Sequence, residues 1–169
     1  MNPLLIVLSA PSGGGKTTLC DRLLQDYPEI TYSVSCTTRS PRGAEEDGID
    51  YHFMTLQRFE EHLRAGHFLE HALVHDHYYG TLNEPLREAI AEGQSVLLDI
   101  DVEGAAQIRA NLARLAPDDS LRRGLIDIFI QPPSMLDLKQ RLENRGEDDA
   151  KTIERRLGNA AKEMQRAAE

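Results

Sequence analysis

Short apolar runs alternate along the chain with segments of helical periodicity. An unbroken apolar run follows Pro3 and covers residues 4–8, and two similar runs occupy residues 95–100 and 125–130. Runs of this length that end at turn residues are typical of strands buried on both faces of a parallel sheet. Because apolar residues at helical spacing follow each run, the pattern predicts an α/β fold with a mainly parallel sheet.

Two segments, residues 35–82 and 139–156, fit this alternation poorly, and we interpret them as insertions on the core. Around the first insertion the pattern predicts a strand at 30–35, loops over 36–54, a short helix that Gly66 ends, a strand at 68–74 and a turn at 78–81. Asn83 is the predicted N-cap of the next helix, and Ser134 is the predicted N-cap of the helix that enters the second insertion.

Composition and charge narrow the range of partners. At 169 residues, with 40% hydrophobic and 28% charged residues, the chain has the size and composition of one globular domain. Its 28 acidic and 19 basic residues give a net charge of −9, which disfavours nucleic-acid binding because that needs a basic surface. The sequence contains no apolar run of membrane-spanning length, and Cys20 and Cys36 form no disulfide-framework or zinc-site pattern. We expect a cytoplasmic protein with no nucleic-acid or membrane partner; its oligomeric state is not indicated.

A glycine-rich motif directly follows the first predicted strand. Residues 10–17 read A-P-S-G-G-G-K-T, which matches the phosphate-loop pattern G-x-x-x-x-G-K-[ST] except at Ala10. Alanine is tolerated there if φ is negative, since only a positive φ demands glycine. Small residues let backbone N–H groups surround phosphate oxygens, and the following helix adds its dipole. The motif predicts a site for the phosphates of a nucleotide, formed by Ala10, Pro11, Ser12, Gly13, Gly14, Gly15, Lys16, Thr17 and Thr18.

Three side chains around this loop have the chemistry for a nucleotide–metal complex. Lys16 is expected to reach the β- and γ-phosphates, and the Thr17 hydroxyl is expected to bind Mg²⁺. Asp99 ends the apolar run at 95–100, where a carboxylate can orient Mg²⁺ or its waters. We therefore predict Thr17 and Asp99 as the metal-binding residues.

The first insertion carries residues suited to a second substrate. Phosphate loops with insertions occur in GTPases, ATPases and small-molecule kinases, so the loop alone leaves these classes open. Arg39 and Arg42 lie three residues apart among hydroxyl side chains, and guanidinium groups bind phosphate bidentately. The carboxylates of Glu70 and Asp101 can accept hydrogen bonds from a donor edge such as that of guanine.

Motifs along almost the whole chain resemble those of guanylate kinases. They are residues 9–17 and the segments S-V-S-C-T-T-R-S-P-R, E-x-x-G-x-D-Y-H-F, F-L-E, Y-Y-G-T, L-D-I-D-x-x-G and I-Q-P-P-S, in this order. The resemblance implies Mg²⁺-dependent transfer of the γ-phosphoryl group of ATP to GMP, giving ADP and GDP. It also implies a three-layer core of the P-loop NTPase type with GMP-binding and lid insertions.

The resemblance assigns roles to individual positions. The residues that would hold the GMP phosphate are Arg39, Arg42, Tyr51 and Tyr79, with the acidic position Glu45 nearby. Those that would read the guanine base are Ser35, Glu70, Thr81 and Asp101. The cations expected to act on the transferred group are Lys16, Arg39 and the lid arginines Arg141, Arg145 and Arg156. No general base is expected, because phosphoryl transfer needs mainly positioning and charge stabilisation.

The same resemblance divides the chain. The core is expected at residues 1–34, 84–135 and 158–169, the GMP-binding insertion at 35–83 and the lid at 136–157. Guanylate kinases commonly continue with a further core strand and helix, which we expect to be missing after residue 169.

Other interpretations remain. The chain could be a non-catalytic binding module of the same type, although Lys16, Thr17 and the lid arginines are present. It could also be a related kinase that phosphorylates another phosphorylated acceptor. His67, His71 and His75 recur every four residues with His77 nearby, a spacing that favours a metal site only on a helix, whereas 68–74 is a predicted strand. Asp76-His77 also stands where the family often has Gly-Asn.

Overall fold

The computed structural model describes residues 2–146 and 149–167, without the side chains of Arg145 and Ala167. The strands are β1 (Leu5–Ser9), β2 (Ile30–Tyr32), β3 (Cys36–Thr37), β4 (His52–Phe53), β5 (Phe68–Val74), β6 (His77–Leu82), β7 (Ser95–Ile100) and β8 (Leu125–Phe129). The helices are α1 (Lys16–Asp26), α2 (Leu56–Arg64), α3 (Asn83–Ala91), α4 (Val102–Ala113), α5 (Ser120–Gly124), α6 (Met135–Arg145) and α7 (Ala150–Ala167).

The core sheet is parallel and has the strand order β2-β7-β1-β8. Leu5 of β1 is in register with Val96 on one side and with Leu125 on the other. The predicted α/β fold with a mainly parallel sheet is therefore confirmed, and the three apolar runs are its strands β1, β7 and β8. In such a sheet, ligands bind at the carboxyl ends of the strands, where the loops after β1 and β7 meet.

Helices cover both faces of this sheet. Alternate residues of β1 and β7 pack on one side with α3, α4 and α5 in an apolar cluster that includes Leu5, Val7, Leu98, Ile108, Leu112 and Leu121. The other face packs against α1 through Ile6, Leu8, Cys20 and Leu97. This arrangement is the expected three-layer core.

One detail of the core differs from the prediction. The run 125–130 was expected to be buried on both faces, but Ile126 and Ile128 of β8 are 39% and 41% exposed. The physical reason is its position, because β8 lies at an edge of the sheet formed by the described residues. The short helix α5, not predicted, follows Asp119, whose Oδ1 accepts from the N–H of Leu121 at 3.0 Å.

A second sheet, of order β4-β3-β6-β5, lies within residues 36–82. It packs against α2 through the ring of Phe59, whose centroid lies 4.3 Å from that of Phe68 and 5.2 Å from that of Tyr78. The predicted turn at 78–81 is wrong, because these residues belong to β6 and pair antiparallel with β5. The turn comes earlier, at His75 and Asp76, whose φ angles of 47° and 64° are typical of a tight hairpin.

The predicted caps have opposite outcomes. Ser134 is the N-cap of α6, and its Oγ accepts from the N–H of Asp137 at 3.0 Å, as predicted. Asn83 is not a cap: Leu82 holds that position and Asn83 is the first helical residue.

Helices α6 and α7 pack together through Leu138, Leu142, Ile153, Leu157 and Ala160. Within the described chain, no helix has the length and apolar character needed to cross a membrane.

Candidate active site

The phosphate loop connects β1 to α1 in the conformation its glycines permit. Gly13 and Gly15 have φ angles of 84° and 95°, which other residues rarely adopt. A Cβ on Gly14 would lie 2.9 Å from the carbonyl oxygen of Pro11, so this position also requires glycine. Ala10 is buried, and the described residues with positive φ do not include it, so alanine fits there. Gly15 is the N-cap of α1 and has no side chain to occupy the first N–H groups of the helix.

Lys16 and Asp99 meet at the carboxyl ends of the two central strands. The ammonium group of Lys16 forms an ion pair with the carboxylate of Asp99 and donates to the carbonyl oxygen of Ile100 at 2.8 Å. Thr17 is exposed one position further along α1. The hydroxyl of Thr17 and the carboxylate of Asp99 are the hard oxygen ligands that Mg²⁺ prefers, so both suit the predicted metal role.

Arg39 lies at the centre of a cluster of predicted GMP-phosphate residues. It is 6% exposed, and its guanidinium group binds Glu45 bidentately with N–O distances of 2.7 and 2.9 Å. Its Nε donates to the hydroxyl of Tyr79 at 3.2 Å, and its Cζ lies 5.3 Å from the ring centroid of Tyr51. The hydrogen bonds from Arg39, together with one from the backbone of Arg42, lower the pKa of Glu45 to about 2. The structure thus brings Arg39, Glu45, Tyr51 and Tyr79 together. Arg42 joins them only through its backbone N–H, which donates to Glu45 at 2.7 Å, and the residue is exposed.

A cavity of about 290 Å³ separates this cluster from the core sheet. It is lined in part by the predicted base-reading residues Ser35, Glu70 and Asp101, and also by Tyr51, Tyr79 and Asp99. Glu70 is 6% exposed, and its Oε1 accepts from the hydroxyl of Thr81 at 2.7 Å. Burial raises the pKa of Glu70, and the nearby charge of Asp101 adds to the effect.

Two of the predicted base-reading residues have structural contacts of their own. Thr81 is 1% exposed, and its hydroxyl donates to the carboxylate of Glu70. Asp101 is the N-cap of α4, and its Oδ1 accepts from the N–H of Gly104 at 2.7 Å.

A larger cavity, about 720 Å³, lies over the outer side of the phosphate loop. The predicted lid residue Arg141 lines it and donates from Nη1 to the carbonyl oxygen of Gly14 at 3.2 Å. Of the other two lid arginines, Arg156 is half-buried on α7, and the side chain of Arg145 lies outside the described residues. Sequence reasoning missed Arg22 and Asn144, which line the same cavity but belong to no motif.

Helix α7 also reaches the phosphate loop, which sequence reasoning missed. The carboxylate of Glu163 lies near the backbone of Ser12, and burial raises the pKa of this carboxyl. Leucines of α6 support the loop from the same direction, since a Cβ on Gly13 would lie 2.8 Å from Cδ2 of Leu142. The sequence gives no signal for these contacts, because the partners lie far apart along the chain.

The three histidines at four-residue spacing are not brought together as they would be on a helix. Residues 68–74 form the strand β5, as predicted, so His67, His71 and His75 are spread along a strand and its turn. His62 and His67 have their Nδ1 atoms 3.0 Å apart. Among the residues that the structure describes, no three His, Cys, Asp or Glu side chains are grouped as metal ligands.

Known proteins are similar to this chain over nearly its whole length. The sequence model of the guanylate kinase family matches residues 2–169. A guanylate kinase of Nitratidesulfovibrio vulgaris is 50% identical over 164 residues, which are 97% of this chain and 74% of that protein. One of Syntrophotalea carbinolica is 46% identical over 163 residues, 96% and 73% of the two chains. The crystal structure of guanylate kinase from Anaplasma phagocytophilum superimposes with a TM-score of 0.66 at 32% identity, covering 96% of this chain and 71% of the other. Because the family model matches residues 2–169 and these relatives are similar over nearly the whole chain, this chain belongs to the guanylate kinase family.

Proposed function

We propose that the protein is an ATP:GMP phosphotransferase that converts ATP and GMP to ADP and GDP. One structural relationship supports this activity above others: Asp99 lines the cavity of Glu70 and Asp101 and also pairs with Lys16 of the phosphate loop. A nucleotide held in that cavity therefore lies beside the loop that binds the phosphates of a second nucleotide. This adjacency is what a direct transfer between two nucleotides requires.

The GMP phosphate binds at the arginine and tyrosine cluster. Arg39 and Arg42 supply positive charge, and the hydroxyls of Tyr51 and Tyr79 supply donors. Glu45 fixes the guanidinium plane of Arg39 through two hydrogen bonds, which leaves its position defined before substrate arrives. A preorganised cation of this kind loses little side-chain entropy on binding phosphate.

The guanine base binds in the cavity that Glu70 lines. Its carboxylate accepts from the N1–H and 2-amino groups, a donor pair that adenine does not present on that edge. Thr81 orients the carboxylate from behind, and Ser35 and Asp101 supply further polar contacts. A buried carboxylate without its donors is costly, so the cavity discriminates strongly against bases that lack them.

The transfer step is carried by cations. Lys16 exchanges Asp99 for the β- and γ-phosphates of ATP, and Arg141, Arg145 and Arg156 approach the transferred group from the lid. The hydrogen bond from Arg141 to Gly14 supports this role, because it holds one lid guanidinium at the rim of the phosphate loop. The cations stabilise charge on the transferred phosphoryl oxygens, and no general base is needed.

Thr17 and Asp99 would hold Mg²⁺ together with the ATP phosphates. When bound, Mg²⁺ supplies further neutralisation of the phosphate charge. A site of one hydroxyl and one carboxylate suits a cation whose remaining ligands are water and phosphate oxygens.

We further assign residues 35–83 to GMP binding, residues 136–157 to the lid and the remainder to the core. The core contains the phosphate loop and Asp99, and the first insertion contains Arg39 and Arg42. Cys20 and Cys36 are free thiols, which suits the cytoplasm, where both nucleotides occur.

A coupled assay of ADP release tests the activity. The purified protein is supplied with ATP and Mg²⁺ and with GMP, dGMP, AMP, UMP or no acceptor. We expect turnover with GMP to exceed that with AMP and UMP by orders of magnitude. Absence of GMP-dependent ADP release would overturn the proposal, and equal turnover with another monophosphate would assign the chain to a kinase of a different acceptor.

A further inference from the structure

Strand β5 carries the base-reading residue Glu70 at an edge of the second sheet. Its inner side pairs with β6, where Glu70 is in register with Thr81. An edge strand leaves N–H and C=O groups on its outer side without strand partners. In this protein, side chains of the core helix α4 take up some of those groups.

Two amides of α4 bind the backbone of β5 on either side of Glu70. The N–H of His71 donates to Oε1 of Gln107 at 3.2 Å, and Nε2 of Gln107 donates to the carbonyl oxygen of His71 at 3.0 Å. Nδ2 of Asn111 donates to the carbonyl oxygen of Leu69 at 2.8 Å. The backbone is thus held at the residue before Glu70 and at the residue after it.

The pairing of β5 with β6 is irregular at this point. The register shifts between Phe68 and Glu70, so Leu69 is left out of the ladder. A bulge of this kind disrupts local pairing and re-aims neighbouring side chains. Asn111 donates to the carbonyl group of this bulged residue, at the point where the pairing with β6 is interrupted.

The same face of α4 limits the position of the carboxylate directly. Gly104, Gln107 and Asn111 are spaced by three and four residues and therefore lie on one side of the helix. A Cβ on Gly104 would lie 3.1 Å from Oε2 of Glu70. One face of α4 thus contacts the Glu70 side chain at its first turn and the β5 backbone in the turns that follow.

We propose that Gln107 and Asn111 are positioning residues that hold Glu70 at the guanine base and thereby set the affinity and selectivity for GMP. This inference rests on the proposed function. Recognition of a base edge needs the carboxylate within about 0.5 Å of its productive position. The backbone bonds on both sides of Glu70 supply that precision, and the described residues that line the cavity include neither amide.

A purely structural role would consist of anchoring the second sheet to the core, so the test must separate stability from recognition. The variants are Gln107→Met, which keeps the length and removes both hydrogen bonds, and Asn111→Ala. The matched control is Ile108→Val, a substitution in the buried core on the same helix. Kinetics with GMP and ATP varied in turn, direct GMP titration and melting temperature are measured for each protein.

We expect the KM for GMP to rise about tenfold in each variant, as for the loss of one or two hydrogen bonds. The kcat and the KM for ATP stay within about threefold, and discrimination between GMP and AMP falls. In a Glu70→Gln background, Gln107→Met raises the KM further by less than about twofold, because its effect passes through Glu70.

An unchanged KM for GMP in both variants of an active protein would overturn this inference alone. The inference would also be overturned if Ile108→Val raised the KM for GMP as much as Gln107→Met does at an equal loss of melting temperature. A full tenfold effect of Gln107→Met on the KM for GMP in the Glu70→Gln background would overturn it too. A wild-type protein without GMP-dependent turnover would instead overturn the proposed function, and this inference with it.

Discussion

The ammonium group of Lys16 is paired with the carboxylate of Asp99 at the point where the two central strands end. Strands β1 and β7 are adjacent and parallel, so the loop after one and the last carboxylate of the other meet at the same edge. Both side chains are about four-fifths buried, at 22% and 18% exposed. The loop lysine is therefore held in place by a carboxylate until phosphate replaces it.

Replacing Lys16 by methionine is expected to lower kcat by about 10²–10³, because one preorganised cation at the transferred group is lost. The fold should persist, since the side chain is not part of the apolar core. Turnover in the coupled assay and the circular dichroism spectrum check both expectations. The control is Lys139→Met on α6, where the lysine is half-exposed and pairs only loosely with Glu143 at 3.7 Å. Unchanged turnover in Lys16→Met would contradict the role of the loop.

Local patterns were sufficient to predict the phosphate loop and the core strands. The loop is a contiguous motif whose glycines have the positive φ angles that its sequence demands, and β5 and β7 have the predicted bounds. Residues 78–81 were misassigned because Gly80 and the polar residues around it are typical of a turn. In the structure Gly80 is needed for a close approach, since a Cβ there would lie 2.9 Å from the ring of Phe68.

Contacts between distant segments could not be predicted. Arg39 and Glu45 are close in sequence, but Gln107 reaches β5 across 36 residues and Arg141 reaches the phosphate loop across 127. Neither contact follows from periodicity or from a motif. Their positions depend on how α4 and α6 pack, which only the assembled core determines.

GMP binding should depend on pH through Glu70. Burial raises the pKa of Glu70 above its ordinary value of 4.5, so its carboxyl takes up a proton at a higher pH than an exposed glutamate does. The protonated form accepts the guanine N–H groups poorly, and GMP affinity should therefore fall as the pH drops through this raised pKa. For folding the sign is opposite: burial of Glu70 costs stability once the pH rises through the raised pKa.

Glu70→Gln tests this dependence. The substitution should weaken GMP binding about 10- to 100-fold, as expected for hydrogen bonds to a charged group, and leave ATP binding unchanged. Because the GMP phosphate itself titrates near pH ~6, the informative quantity is the difference between the wild-type and variant profiles from calorimetric titration. A difference that does not vary between about pH 4 and pH 7 would contradict the role of the Glu70 charge.

Acid should remove the stabilisation that Arg39 and Glu45 provide. Hydrogen bonds from Arg39 and from the backbone of Arg42 lower the pKa of Glu45 from 4.5 to about 2. A lowered pKa in the folded state means that the stabilisation is complete above pH 4.5 and is lost as the pH falls towards 2. Glu45→Gln should therefore show a shallower loss of melting temperature across this window than the wild type. Parallel curves would show that the pair does not stabilise the fold.

Arg141 is expected to act on kcat rather than on the affinity for ATP. Its guanidinium group lies at the rim of the loop, where it donates to Gly14, and Arg141→Ala should lower kcat about 10²–10³-fold with a small change in the KM for ATP. Arg141→Lys should recover only part of the loss, because lysine keeps the charge and loses the planar fork. Arg64→Ala is the control, since this exposed arginine of α2 also donates to a backbone carbonyl, that of Glu60. Equal kcat values for the two alanine variants would contradict the proposed lid role.

The substitution Gly104→Ala has two opposite effects on stability, a gain in helix propensity and a steric clash of the new Cβ. Alanine in a helix is favoured over glycine by up to about 1 kcal/mol. At Gly104, however, the new Cβ would lie 2.4 Å from Cγ2 of Ile100 and 3.1 Å from Oε2 of Glu70. Ile100 is β-branched and cannot turn aside easily, and overpacking costs about 1–3 kcal/mol, so the clash should outweigh the propensity.

The expected result of Gly104→Ala is a net loss of about 1–2 kcal/mol of unfolding free energy together with weaker GMP binding, because the carboxylate of Glu70 must move. The control is Gly158→Ala on α7, where a Cβ would meet no atom of the described residues within 4 Å. That variant should gain up to about 1 kcal/mol from helix propensity and keep its affinity for GMP. Urea denaturation and GMP titration of both variants check these expectations. If Gly104→Ala stabilises the protein and keeps its affinity for GMP as Gly158→Ala does, the close approach of α4 to Glu70 does not determine the position of the carboxylate.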